Sequence, residues 1–185
     1  MLAHLIIRHK VRFKISRPRA TRYGDYRAPQ QGSGHRISVN GNLNPYAFYI
    51  TALHEFAHLI AYESFGHKIA PHGKEWKSIF GELLSGALEK DVFPEDVARE
   101  VQRHLQSPAA SGCADHELMR ALRNYDEHPA VLLEELPEQS RFVINGNRVF
   151  EKGALLRKRY RCLDVQNQRF YLISGIAEVV PLHGK

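Results

Sequence analysis

Thr51-Ala52-Leu53-His54-Glu55-Phe56-Ala57-His58 carries the pattern H-E-x-x-H. Residues four apart on a helix are displaced by about 40° around its axis, so His54 and His58 share one face. Two imidazoles so placed can grip one Zn²⁺. Glu55 lies about 100° round from His54, near enough to reach a water on the metal without ligating the metal itself. In this pattern that position suits a general base for peptide hydrolysis. The flanks agree with a helix. Asn44-Pro45 reads as an N-cap followed by proline at the first helical position. Phe48, Leu53, Phe56, Ala57 and Ile60 recur at helical spacing, and Gly66 reads as the stop.

A catalytic zinc takes three protein ligands and keeps one position open. Counting on from His58, a metzincin would place Gly at 61 and His at 64; this chain has Ala61 and Ser64. The third ligand is then Glu75 or Glu82 from a following helix, or one of two histidines, His67 and His72. His67 lies just past the helix end, too near to fold back easily. His72 sits between Pro71 and Gly73, in a loop long enough to return under the helix.

H-E-F-A-H followed by Pro71-His72-Gly73-Lys74-Glu75-Trp76 resembles the SprT-like metalloprotease family, whose mark is H-E-x-x-H and then H-G-x-x-W. The resemblance implies that His72 is the third zinc ligand and Glu55 the catalytic residue, with one Zn²⁺ per chain. His67 then reads as a surface residue and Trp76 as core under the loop that presents His72. The resemblance also implies proteolysis linked to DNA, as in the Spartan relatives that digest proteins crosslinked to DNA.

Charge is unevenly spread over the 185 residues, whose formal net charge is +6. Residues 8 to 36 hold nine Lys and Arg, among them Arg12, Lys14, Arg19 and Arg22, against Asp25 alone. Residues 141 to 161 hold seven, including Arg157, Lys158 and Arg159, against Glu151. Two such segments suit a polyanion, so DNA bound without sequence preference is the expected partner beside a protein or peptide substrate. Met1 to Ile7 is apolar but short and lacks a charged n-region, so it does not read as a signal peptide. No run approaches a membrane span. Cys113 and Cys162 are too few for a disulfide framework, which points to a reduced, cytoplasmic setting where the nucleoid is within reach.

Taken in order, Val11 to Ile15 alternates as a strand, Gly24-Asp25 reads as a turn into a second strand at Tyr26-Arg27, and His35 to Asn40 alternates again. Three strands running into a zinc-bearing helix describe the front half of a zincin. An edge strand near the zinc could pair with an extended peptide, and Arg36, Ile37, Ser38 and Val39 are assigned that role; the same stretch also fits an internal strand. Further helices are expected from Glu75 to Leu84, from an opening at Phe93-Pro94-Glu95-Asp96 to about Leu105, and from Asp115 to Tyr125, with a small-residue break at Ser107 to Gly112. The expected class is α+β, a zincin-like domain over 1–129.

Residues 130–185 read as a small all-β appendage. Asn145-Gly146 signals a hairpin. A basic strand is expected from Leu155 to Leu163, and a final pair around Phe170 to Ile173 and Ala177 to Val180. Many SprT-like proteins end in a zinc ribbon with paired cysteines. Arg159-Tyr160-Arg161-Cys162 resembles the entry to one, but no C-x-x-C follows, and one thiolate cannot build a four-ligand site. No second zinc is expected.

Overall fold

The structure is a computed structural model that describes residues 1–19, 22–30, 32–106, 115–144 and 146–182. It has mixed α and β character and divides into two compact units, Met1–Glu127 and His128–Lys185. No helix among the described residues is long and apolar enough to cross a membrane.

The first unit is built on one helix, α2, Pro45–Phe65. Its sequence fixes both ends. Oδ1 of Asn44 accepts from the amides of Tyr46 and Ala47, at 3.1 and 2.9 Å, and Pro45 needs no partner for an N–H it lacks. Gly66 then leaves the helix at φ +67°, a backbone state that costs glycine little. Between these ends Leu53, Phe56, Ala57 and Leu59 are wholly buried. The Asn44 amide also donates to Leu122 O and to Asp126, which ties the start of α2 to the end of a later helix.

Helix α1, Leu2–Arg8, precedes the sheet and buries Leu5. The apolar opening is thus a short packed helix. Strands β1 (Arg12–Ser16), β2 (Gly24–Arg27) and β3 (Arg36–Asn40) form a sheet of order β1-β3-β2, with β1 parallel and β2 antiparallel to β3. This order corrects the assignment of Arg36, Ile37, Ser38 and Val39 to a substrate-pairing edge, because β3 is the middle strand and both its sides are taken. Its burial shows why: Ile37, Val39 and Asn40 are all within 1% of fully enclosed. Alternation marks a strand but does not distinguish centre from edge. The outer strands are β1 and β2, and β2 also includes Gly24 and Asp25 rather than starting after them.

Helices α3 (Lys74–Leu88), α4 (Glu95–Gln106) and α5 (His116–Arg123) complete the unit. Asp115 caps α5 through Oδ1 to the amides of Glu117 and Leu118. The expected break at Ser107 to Gly112, and Cys113 after it, lie outside the described residues.

The second unit is a seven-stranded antiparallel sheet: β4 (Val131–Leu132), β5 (Arg141–Ile144), β6 (Arg148–Glu151), β7 (Leu155–Leu156), β8 (Arg159–Asp164), β9 (Phe170–Ser174) and β10 (Glu178–Leu182). β5 and β6 pair across Gly146, at φ +95°. The basic stretch from Leu155 to Leu163 is not one strand but a hairpin, β7 to β8, turned at Arg157 with φ +57°. One face is closed over Leu133, Phe142, Phe150, Cys162 and Val179. Cys162 is therefore core, and burial raises its thiol pKa.

Candidate metal centre

Helix α2 presents His54 and His58 one turn apart, and the loop before α3 brings His72 to them. His72 stands at φ +59°, in the left-handed region that a residue with a Cβ adopts only at a cost. The Gly73 amide closes the turn on Ala70 O at 2.9 Å, an approach that a Cβ at residue 73 would obstruct. Strain of this kind is kept where the surroundings demand it.

The three Nε2 atoms converge. His54 and His58 are 3.2 Å apart, and each is 3.1 Å from His72. Neutral imidazoles cannot satisfy three such approaches through hydrogen bonds alone, because each needs one donor and one acceptor. A shared cation resolves the conflict. Tetrahedral zinc with Zn–N near 2.0–2.1 Å would hold ligand nitrogens about 3.3–3.4 Å apart, close to what is found. Among the described residues, His54, His58 and His72 form the group able to hold a metal ion; Glu75, Glu82 and His67 are not in it. His67 is exposed, its ring against Tyr62 at 4.8 Å.

Burial makes these ligands ready. It lowers His54 to about 3, helped by His58 and His72, and lowers His58 to about 4, helped by His72. His72 is lowered too, by burial and then by Lys77. Protons therefore compete weakly for the site at neutral pH. Trp76 forms the floor. It is 1% exposed, and its ring centroid lies 4.6, 5.2 and 4.6 Å from those of His54, His58 and His72. Phe80 stacks behind it at 4.9 Å. Packing against all three imidazoles goes beyond a core role under the loop.

Glu55 is buried at 7% exposure. Burial, then the charge of Asp25, pushes its carboxyl up to about 7, against the pull of the Tyr26 amide and Arg19. A carboxyl poised there can take and return a proton near neutrality.

Among curated proteins, those that match carry the name Protein SprT. The one from Pseudomonas fluorescens strain SBW25 is 59% identical over 67 residues, 36% of this chain and 39% of the relative. The one from Glaesserella parasuis serovar 5 strain SH0165 is 40% identical over 65 residues, 35% and 39% of the two chains. A third, from Pseudomonas fluorescens strain Pf0-1, is 34% identical over 84 residues, 40% of this chain and 49% of the relative. Over these stretches the chain is similar to the SprT proteins. It spans less than half the length of these relatives. No protein-family model and no solved structure matches it.

The basic residues of this chain divide by what they touch. Arg19 bonds Ser16 and Ser38, and Arg22 pairs with Asp25 at 3.2 Å, so both serve the fold around β2 and β3. Arg148 is engaged with buried Asp164 at 2.6 Å. Arg12 and Lys14 are exposed along β1, and Arg157, Lys158 and Arg159 are exposed around the β7–β8 turn. Beside that turn the sheet has a second, open face. Arg161 opposes Leu172, and its guanidinium lies 3.8 Å over the ring of Phe170. Phe170, Leu172, Val180 and Leu182 are 42–63% exposed. The sequence alone shows no aromatic signature for nucleic acid, since Phe170 and Arg161 become neighbours only through the β8–β9 pairing.

Proposed function

We propose that this chain is a zinc-dependent endopeptidase of zincin type that acts on proteins associated with DNA. The observation that carries the peptidase reading is the convergence of three Nε2 atoms, 3.1–3.2 Å apart, two from α2 and one from the loop before α3, with a buried raised-pKa carboxyl next to His54 in the chain. His54, His58 and His72 would hold the zinc, which supplies Lewis acidity to a scissile carbonyl and to water. Glu55 takes a proton from the attacking water and returns it to the leaving amine. Trp76 and Phe80 exclude water behind the imidazoles and fix their planes. A substrate strand would not pair along β3, whose two sides are taken by β1 and β2.

The DNA part rests on the exposed cations at Arg157, Lys158 and Arg159 and on the open face around Arg161 and Phe170. Base rings stack on aromatics, and cations attract phosphates. That face also favours a second reading, a zinc-stabilised DNA-binding adaptor without useful protease activity. Glu55→Gln separates the two. On the peptidase reading the variant keeps zinc and fold but loses about 10²–10⁴-fold in cleavage of an unfolded protein substrate, since an amide cannot accept the proton. Equal, negligible cleavage by parent and variant supports the adaptor. Cleavage indifferent to added DNA would leave a general peptidase.

A further inference from the structure

Strand β2 meets Glu55 closely at Gly24. A Cβ there would fall 2.5 Å from Oε1 of Glu55, 2.8 Å from its Cγ and 2.8 Å from Cγ2 of Thr51. Any residue but glycine would have to displace the carboxylate. Glycine inside a strand weakens it, and close approach of another group is a recurrent reason for its presence. Two residues on, the Tyr26 amide faces the same carboxylate. The register explains this. Asn40 donates to Tyr23 O at 2.8 Å, so Tyr23 and Asp25 bond to β3 while Gly24 and Tyr26 turn their amides outward.

The Tyr26 side chain begins a polar chain that no step of the reaction uses. Its hydroxyl is 2.9 Å from Nδ1 of His35. Nε2 of His35 is 3.6 Å from Oε1 of Glu63, and Oε2 of Glu63 is 2.7 Å from Nδ1 of His9. The Tyr26 ring stacks on His35 at 5.9 Å, and Tyr62 closes edge-on at 5.8 Å. Glu63 lies on α2, about two turns beyond Glu55. The chain therefore ties β2 back to the helix that carries Glu55, and draws α1 in through His9.

We propose that β2 is the positioning element for Glu55: Gly24 opens the space its carboxylate occupies, and the Tyr26–His35–Glu63–His9 chain holds the strand so that this space keeps its shape. The proposal rests on the reading of Glu55 as the base. Gly24, Tyr26 and Glu63 are positioning residues, since none of them touches substrate in this account.

The test uses the full zinc-loaded chain. Gly24→Ala should keep one zinc per chain and lose about 10–100-fold in kcat, with KM within about twofold, because misplacement by about 1 Å costs about a hundredfold. Tyr26→Phe should lose less. Glu63→Gln, which keeps an acceptor, should retain more kcat than Glu63→Ala. A merely structural role would lower the melting temperature without that split or that rescue. If Gly24→Ala does not fold, the Tyr26 and Glu63 variants decide alone, and kcat within about twofold of the parent in all of them overturns the proposal. A crystal structure of Gly24→Ala, or of Tyr26→Phe in its place, gives a readout free of activity. An unmoved Glu55 carboxylate overturns the proposal and a displaced one supports it, even if the parent cleaves nothing and the peptidase reading itself has failed.

Discussion

The two units treat their aromatic and charged side chains in opposite ways. In the first, Trp76 is 1% exposed and lies against three imidazoles, and Glu55 is also buried. In the second, Phe170 is 56% exposed with Arg161 over it. Chemistry on a scissile bond needs fixed atoms in a dry setting, because positioning and local dielectric set the rate. Binding a polyanion needs charge and flat apolar surface, and tolerates variation in both. Each unit's interior serves a different end: in the first it encloses the histidine cluster, and in the second it supports an open face.

The sharpest way to break this comparison is a pair of phenylalanines in one sheet. Phe142→Ala empties a fully buried position and should destabilise the second unit by about 3–5 kcal/mol. Phe170→Ala should change stability by no more than about 0.5 kcal/mol. Their effects on single-stranded DNA should reverse, with Phe170→Ala weakening it by about 1–3 kcal/mol as a stacking surface disappears. Denaturant melts and binding titrations of both variants check this. Equal stability losses would mean that the outer face is covered in solution.

Next in size is the charge reversal of Arg157, Lys158 and Arg159 to glutamate. It should weaken binding to all DNA sequences alike and flatten the salt dependence, by about 0.7–0.9 in slope for each phosphate no longer neutralised. Cleavage of a short peptide should be unchanged, since none of the three joins the histidine cluster. Titrations at several salt concentrations measure the slope. Unaltered binding would return these residues to solvated surface.

A smaller effect concerns acid and the metal-free protein. His54 and His58 titrate near 3 and 4 when folded and near 6.5 when unfolded, so the unfolded chain binds more protons between these limits. Their contribution to stability is present above pH 6.5 and is lost as pH falls. Glu55 has the opposite sign. Its folded value is about 7 against 4.5, so it favours the fold at low pH and loses that contribution as pH rises through 4.5 to 7. Metal-free Glu55→Gln should therefore lose stability more steeply than the parent between pH 6.5 and 5. Thermal melts of the two proteins across that range supply the test, and parallel curves would contradict the assignment of these shifts.

Much of the candidate site is legible in the sequence because its signals are local. Spacing of four puts His54 and His58 on one face, Asn44-Pro45 starts the helix, and Gly66 ends it. Resemblance selects His72 over Glu75, Glu82 and His67, and the loop geometry brings it to the other two histidines. What is not legible depends on partners far along the chain. The sheet order that makes β3 central follows from which strands flank it, and alternation within Arg36 to Val39 carries no trace of that. Gly24 reads as a turn because its use, admitting Glu55, involves a residue 31 positions later. The strand expected from Leu155 to Leu163 breaks at Arg157, a residue with no intrinsic preference for a left-handed turn.

The central claim is that His54, His58 and His72 hold one zinc beside Glu55, and zinc content of His72→Ala tests it most directly. Parent and variant would be purified alongside His67→Ala and measured for zinc per folded chain. The expected result is one zinc in the parent, one in His67→Ala, and zinc largely lost from a folded His72→Ala. Zinc retained by His72→Ala, or lost from His67→Ala, would contradict it.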